Sequence, residues 1–425
     1  MVRALAGGAR PRPEGASTTP SSPAERFLAE LGRALHGYGL PAYRLEDSLT
    51  RVAGHLGLEL QVFSTPTALQ LAIGPSDAQR AYLLRIPPGE ISLARIVEAD
   101  ALIDELCSGR LDVDQARARL AASTTAPAPF GAGSVLAAFA LASAAAARFF
   151  GGAASEVLAS AAIGLVIGTC ALASRRYERV ARIFEFLASF LAAATAVALA
   201  AWVGDGPRTP SPQLVMLSAL IVLVPGYTLT VALNELAARH LVSGTARFAS
   251  AIMSFLGLGF GVALGGRGAE LLFGVDLARE VSSPSLPGWT EYVALAVAPL
   301  AFTVLFQARK RDAAWILVAG VVAFLGARFG AALLGPELGT FLAALVLGAG
   351  SNVLARMLRR PASVTLAPGL LLLVPGSLGF RSLSAFFAND AASGIVLVYT
   401  TLLVATALVA GLLFANFIVS PRRTL

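Results

Sequence analysis

Two Pro-Gly pairs, Pro225-Gly226 and Pro375-Gly376, interrupt long apolar runs. Proline lacks a backbone N–H and frees the carbonyl four residues earlier, and glycine loosens the backbone further. In hydrocarbon those freed groups need a partner from protein, water or a bound solute. A half-helix that starts at such a break offers the positive end of its dipole to a carboxylate, and freed carbonyls suit an ammonium. A zwitterionic amino acid satisfies both. The competing reading is a packing kink. Tyr227, Thr228 and Thr230 follow the first break, Ser377 follows the second, and Ser351 and Asn352 lie toward the end of another apolar run. They would hydrogen-bond a polar solute or, alternatively, neighbouring helices.

Ionisable groups within apolar runs are costly unless paired or hydrated. Glu185 lies roughly 10 Å into its run at 1.5 Å per residue, which makes it the first candidate for proton coupling. The alternative is a rim ion pair with Arg182, three residues back. Glu235, beside Asn234, and Asp390, after Asn389, are further proton-coupling candidates, and both are expected at a rim. Arg328 is expected to be the most buried basic residue, with freedom to snorkel outward.

Other chemistry is poorly served. Lys310 is the one lysine and follows Arg309, so there is no phosphate-binding G-x-x-x-x-G-K loop. Three histidines with Cys107 and Cys170 show no metal spacing and no disulfide framework. His36, His55, Glu46, Asp47 and Ser48 do not form a nucleophile motif. The expectation is a protein with no catalytic residues, metal or cofactor, and no enzyme.

The elements that must position these residues follow from composition. Of 425 residues, 56% are hydrophobic and 14% charged, and mean hydropathy is +0.71. A soluble surface needs about 25% charged residues. Residues 1–120 hold 13 basic and 14 acidic residues; the remainder hold 20 and 12. The net charge of +7 therefore sits beside membrane segments and does not call for nucleic acid.

Residues 1–23 read as a disordered tail and residues 24–122 as a cytosolic α/β domain. In that domain Phe27, Leu28, Leu31 and Leu35 mark one helix, and Leu45, Leu49, Val52 and Leu56 a second. Alternation marks strands over 58–62, 69–73 and 82–86, with a third helix over 91–108 and a capping-box start at Asp112/Gln115. Residues 123–130 read as a linker. Ten apolar segments of bilayer length follow, at about 131–150, 155–174, 180–203, 213–235, 246–266, 291–308, 313–334, 338–357, 362–383 and 390–417. With the N-terminus inside, inner loops carry 14 basic residues and outer loops five.

Residues 220–226 (LIVLVPG) recur as 370–376 (LLLLVPG), and Gly244 recurs as Gly394 at the same offset. The breaks fall in the fourth and ninth segments, so each unit has five crossings and the second is inverted. The expected fold is mainly α: ten transmembrane helices as two inverted five-helix repeats with a small N-terminal cytosolic α/β domain. The repeats span 131–266 and 291–418, separated by an external loop at 267–290 and followed by a cytosolic tail at 419–425.

Three motifs then carry a resemblance: Gly39-Leu40-Pro41-Ala42-Tyr43-Arg44-Leu45-Glu46, Thr65-Pro66-Thr67-Ala68, and Leu373-Val374-Pro375-Gly376 with its counterpart at Leu223–Gly226. In this order they make the chain resemble the bacterial threonine/serine exporter family over about residues 25–418. The resemblance implies proton-driven secondary export of small hydroxylated amino acids across the inner membrane. Threonine, serine, a proton and the lipid bilayer are the implied partners, and a homo-oligomer stays open. The rival readings are a channel, a transporter of another solute, or a membrane-anchored enzyme or sensor acting through residues 24–122.

Overall fold

The computed structural model describes residues 22–204, 206, 208–278, 285–373, 376–387 and 390–421. The tail expected over 1–23 lies outside the described residues as far as residue 21, and Pro375 also lies outside them.

The N-terminal part is built from α1 (Pro23–Gly37), α2 (Ala42–His55), strands β1 (Leu60–Thr65), β2 (Ala68–Ile73) and β3 (Arg80–Arg85), α3 (Leu93–Cys107) and α4 (Val113–Thr125). Ser22 caps α1 by accepting the Glu25 N–H at 3.1 Å, and Pro23 occupies its first turn, where no N–H is needed. Phe27, Leu28, Leu31 and Leu35 are fully buried, as the helical spacing requires, and Leu45, Leu49 and Val52 of α2 face them.

The sheet is antiparallel in the order β1-β2-β3, and Pro66-Thr67 closes a hairpin between paired Thr65 and Ala68. Leu69, Leu71 and Ile73 turn into the core from β2. The first strand runs later than the alternation at 58–62 suggests, because pairing with β2 continues to Thr65. Asp112 and Gln115 form the expected capping box on α4. That helix continues through residues 123–125 of the expected linker and stops at Ala126, which is extended before Pro127.

The apolar part comprises α5 (Ala132–Phe149), α6 (Ala154–Arg176), α7 (Glu178–Val203), α8 (Pro212–Leu220), α9 (Gly226–Ala237), α10 (Leu241–Phe273), α11 (Trp289–Leu305), α12 (Ala313–Leu334), α13 (Pro336–Leu358), α14 (Ser363–Leu373), α15 (Gly376–Phe387) and α16 (Ala391–Ile418). Among the described residues, eight helical stretches are long and apolar enough to span a membrane, against ten expected segments. The fourth segment is cut into α8 and α9, and α11 is a shorter apolar helix of 17 residues. The chain is a mainly helical multi-pass membrane protein with one small sheet.

The helices recur at a fixed offset. α9 starts at Gly226 and α15 at Gly376, each 12 residues long; α10 starts at Leu241 and α16 at Ala391. Packing recurs too: α6 on α7 as α12 on α13, α7 on α10 as α13 on α16, and α9 on α10 as α15 on α16. Close approach falls at matching glycines. A Cβ on Gly261 would lie 2.6 Å from the Phe186 carbonyl oxygen, and one on Gly411 would lie 2.5 Å from that of Phe341. Contacts between the two sets are reciprocal: α5 meets α11, while α9 meets α16 as α15 meets α10.

In the N-terminal core, His36 is buried and its Nε2 donates to the Thr65 carbonyl at 2.8 Å. Burial holds this imidazole below the ordinary histidine value, against the hydrogen bond to Thr65. Its folded pKa is thus below its unfolded one. The stability it contributes is whole above the unfolded value and is lost as pH falls through the folded one. The melting temperature of the purified protein is expected to drop between pH 7.5 and 5. In His36→Gln, which keeps a donor toward Thr65, that part of the drop should vanish; an unchanged pH profile would contradict the assignment.

Candidate functional site

The first break is a short turn between α8 and α9. The Leu223 and Val224 amides donate to the Leu220 carbonyl at 2.8 and 3.2 Å, and the Gly226 amide donates to Val224 at 2.8 Å. The chain thereby satisfies part of the backbone that the interruption frees. Thr230 donates its hydroxyl to the Gly226 carbonyl at 3.1 Å. The amides of Tyr227 and Thr228 fall in the first turn of α9, where a helix leaves N–H groups without intrahelical acceptors.

Gly376, the glycine of the second pair, lies against this first break. A Cβ placed on Gly376 would lie 2.8 Å from Val224 Cγ1 and 3.5 Å from Gly226 Cα. Two cavities meet there. One, of about 240 Å³, is lined by Gly226, Gly376, Phe149, Phe302 and Glu291. The other, of about 460 Å³, is lined by Pro225, Tyr227, Thr228, Glu185, Ser254 and Arg175. Val222, Val224 and Leu371 line both, so these apolar side chains form the wall between them.

Glu185 opens onto the larger cavity and accepts the Ser254 hydroxyl at 2.7 Å. The rim pair with Arg182 does not form; Arg182 pairs with Glu178 at 3.2 Å instead. A salt bridge spaced i, i+4 on the exposed first turn is open to Arg182, whereas Glu185 turns toward α10.

Beneath the larger cavity the N-terminal domain is docked. Glu235, wholly buried, accepts the Arg247 guanidinium at 3.1 Å, the Ser243 hydroxyl at 2.8 Å and the Ala42 backbone N–H at 2.8 Å. The N-terminus of α2 thus points its dipole at a carboxylate of α9. Tyr43 Oη accepts from Asn234 at 3.0 Å, and Arg247 donates to the Leu40 carbonyl at 3.4 Å. Glu46 accepts the Ser64 N–H at 2.8 Å and lies 3.5 Å from His240. Burial pushes the Glu46 carboxyl above the ordinary glutamate value, opposed by the Ser64 hydrogen bond and by His240. The first amides of α3 donate to the Phe306 and Gln307 carbonyls at 2.9 and 3.1 Å. Arg175 pairs with Glu90 at 2.5 Å.

Sequence models of threonine/serine exporters match nearly the whole region just described. One covers residues 26–267. A second, for threonine/serine exporter ThrE, covers residues 291–418. The chain belongs to the threonine/serine exporter family. Among relatives of this exporter-family chain, a Mycobacterium tuberculosis protein named "Probable threonine/serine exporter" is 26% identical over 407 residues, 90% of this chain and 71% of that protein. Proteins named "Pheromone-regulated membrane protein 10" match from Saccharomyces cerevisiae (25% identical, 84% of this chain, 47% of that protein) and Pichia sorbitophila (22%, 84%, 36%). The chain therefore spans less than half of those two fungal relatives. No solved structure matches it.

In this exporter-family fold, the residues singled out by sequence do not all converge. Pro225, Gly226, Tyr227, Thr228, Gly376 and Glu185 line the paired cavities. Glu235 sits in the docking contact. Asp390 is exposed and caps α16 by accepting the Ser393 N–H at 3.1 Å. Asn352 ties α13 to the end of α16 through Asn416 at 2.9 Å and Val419 at 2.7 Å, beside the buried hydroxyl of Ser351. Pro375 and the Ser377 side chain lie outside the described residues. Arg328 is not the most buried cation: its side chain is 63% exposed and lies 3.5 Å from Glu291. Sequence reasoning missed Ser254, one turn from the Gly257–Gly261 run, and Arg44, whose motif it used only for resemblance.

Removing Glu235 would leave Arg247 without its carboxylate, a change that costs about 3–5 kcal/mol for a buried pair. Glu235→Ala and Arg247→Ala are each expected to lower the melting temperature. The double variant should lose less than the sum of the two; additive losses would contradict a direct pair. At the first break, Gly376→Val is expected to cut transport at least about tenfold in a protein that still folds, with a stability loss of about 1–3 kcal/mol, because its side chain must displace Val224. Full activity in a folded Gly376→Val variant would show that the breaks need not approach.

Proposed function

We propose that this protein is a secondary active exporter of small polar amino acids, threonine and serine first, in the inner membrane with both termini in the cytoplasm. Two oppositely oriented five-segment units would alternate access to a site at Pro225/Gly226 and Pro375/Gly376. The observation that carries the reading is the contact of Gly226 with Gly376 between two cavities separated by a thin apolar wall. Moving that wall exposes the site to one cavity or the other, and coupling requires substrate to bind the two states differently.

Several features support the inverted arrangement: the common offset of α9/α10 and α15/α16, the matched glycine contacts, and the reciprocal packing between units. Arg175, Arg247 and Arg309 all reach toward the N-terminal domain, which supports placing the basic loops on its side of the membrane.

Glu185 is the proposed proton carrier. It faces the larger cavity, shares it with Thr228 at the break, and has a hydroxyl partner that accommodates either protonation state. Purified protein in proteoliposomes is expected to exchange labelled threonine by counterflow, which a channel does not support. Glu185→Gln should abolish threonine flux driven by a pH gradient and leave counterflow intact. Unchanged pH-driven flux would remove Glu185 from the mechanism; absent threonine counterflow in the unaltered protein would remove the exporter assignment.

A further inference from the structure

Arg44 occupies the first turn of α2. A cation there opposes the helix dipole, which favours negative charge at that end. Its guanidinium is also sunk beneath α9 and α14. Nε donates to Tyr43 Oη at 3.4 Å and Cζ lies 5.9 Å from the Tyr43 ring centroid, but among the described residues the buried Nη1 has no hydrogen-bond partner. Buried polar groups are almost always paired. A guanidinium with one buried N–H unpaired, at the disfavoured end of its helix, is held at a cost, and such costs concentrate at functional sites.

The space around Arg44 has a definite character. It is a cavity of about 50 Å³ with mainly aliphatic walls, among which Tyr43, Tyr227, Thr230, Asn234 and Ser363 are the polar lining residues beside Arg44. Ser363 Oγ is a second buried atom there with no hydrogen-bond partner among the described residues. Ser363 also opens α14, an 11-residue helix whose positive end lies at this point. A guanidinium N–H, a hydroxyl and a helix N-terminus all complement a negatively charged acceptor. One water needs about 10–15 Å³ in such a cavity. A carboxylate therefore fits, while a whole amino acid does not. Tyr227 lines this cavity and also the larger one at the first break, so a solute held here would extend past its ring toward Thr228.

We infer that Arg44, with Ser363, binds the α-carboxylate of the transported amino acid on the cytoplasmic side of the helix breaks. The N-terminal domain then supplies part of the substrate site and is not only a cover for the inner mouth. This rests on the exporter reading above. The Glu235–Arg247 contact serves it by fixing the start of α2, two residues from Arg44, against α9.

The test compares two competitors of labelled threonine counterflow: unlabelled threonine, and the amino alcohol in which its carboxylate is reduced to a hydroxymethyl group. The unaltered protein is expected to prefer threonine strongly. Arg44→Ala should raise the apparent KM for threonine tenfold or more and leave inhibition by the amino alcohol nearly unchanged, so that the preference collapses. Arg44→Lys, which keeps the charge, should restore part of it. A structural role alone would weaken both competitors equally.

A folded Arg44→Ala variant with the original preference would overturn the inference while leaving the exporter assignment standing. If Arg44→Ala does not fold, Ser363→Ala gives the same comparison. A smaller loss of preference is expected there, and no loss would overturn the inference. Lack of threonine counterflow in the unaltered protein would overturn the exporter assignment and this inference together.

Discussion

A helix that stops inside an apolar layer must find new partners for the backbone it releases, because hydrocarbon offers none. Here the released groups are handled in three ways. The Leu223 and Val224 amides bond back to Leu220 and the Gly226 amide to Val224, the Thr230 hydroxyl reaches the Gly226 carbonyl, and the amides of Tyr227 and Thr228 stand beside a cavity. The remainder of the membrane part follows from holding α15, from its first residue Gly376, against this interruption. Glycines at 261 and 411 let α7 and α10, and α13 and α16, approach to backbone contact. That compact frame leaves the interrupted helices facing one another at Gly226 and Gly376.

The N-terminal domain is joined to this frame through the same short helix that begins at the break. α9 carries Tyr227 at one end and Glu235 toward the other, eight residues or about 12 Å apart at 1.5 Å per residue. Glu235 accepts from α2, from Ser243 and from Arg247. A displacement of the break along α9 would therefore be felt at the start of α2. Along the twelve residues of α9, a break that needs polar partners for its backbone is joined to a surface that needs a buried charge satisfied.

Much of this was legible in the sequence because it follows from periodicity and punctuation. Most of the apolar segments, the strands at 69–73 and 82–86 and the capping box at Asp112 reappear as local structure, and α9 and α15 both begin at the glycine of a Pro-Gly pair. What could not be read are contacts between distant elements. Glu235 looks like a rim carboxylate until α2 is placed against it, and Arg44 looks like a surface residue of an amphipathic helix until α9 and α14 cover it. Arg328 misled in the opposite sense: it is central in its apolar segment, yet it faces outward. Depth along a span is encoded locally; the face turned to neighbours depends on packing.

Glu235, wholly buried, and Glu185, half-buried, also differ in what they can do. Glu235 is committed. Its oxygens accept from a guanidinium, a hydroxyl and a backbone amide, so a proton arriving there would displace at least one donor and leave Arg247 uncompensated. Glu185 accepts from a hydroxyl, and a hydroxyl donates to a carboxylate or accepts from a carboxylic acid by rotating its hydrogen. It also borders a cavity that Glu235 does not line. A residue that carries protons must tolerate both charge states and meet water in at least one conformation. Of these two carboxylates, only Glu185 meets both conditions, which is why the proposed proton carrier is Glu185 and not Glu235, although both are glutamates in apolar helices.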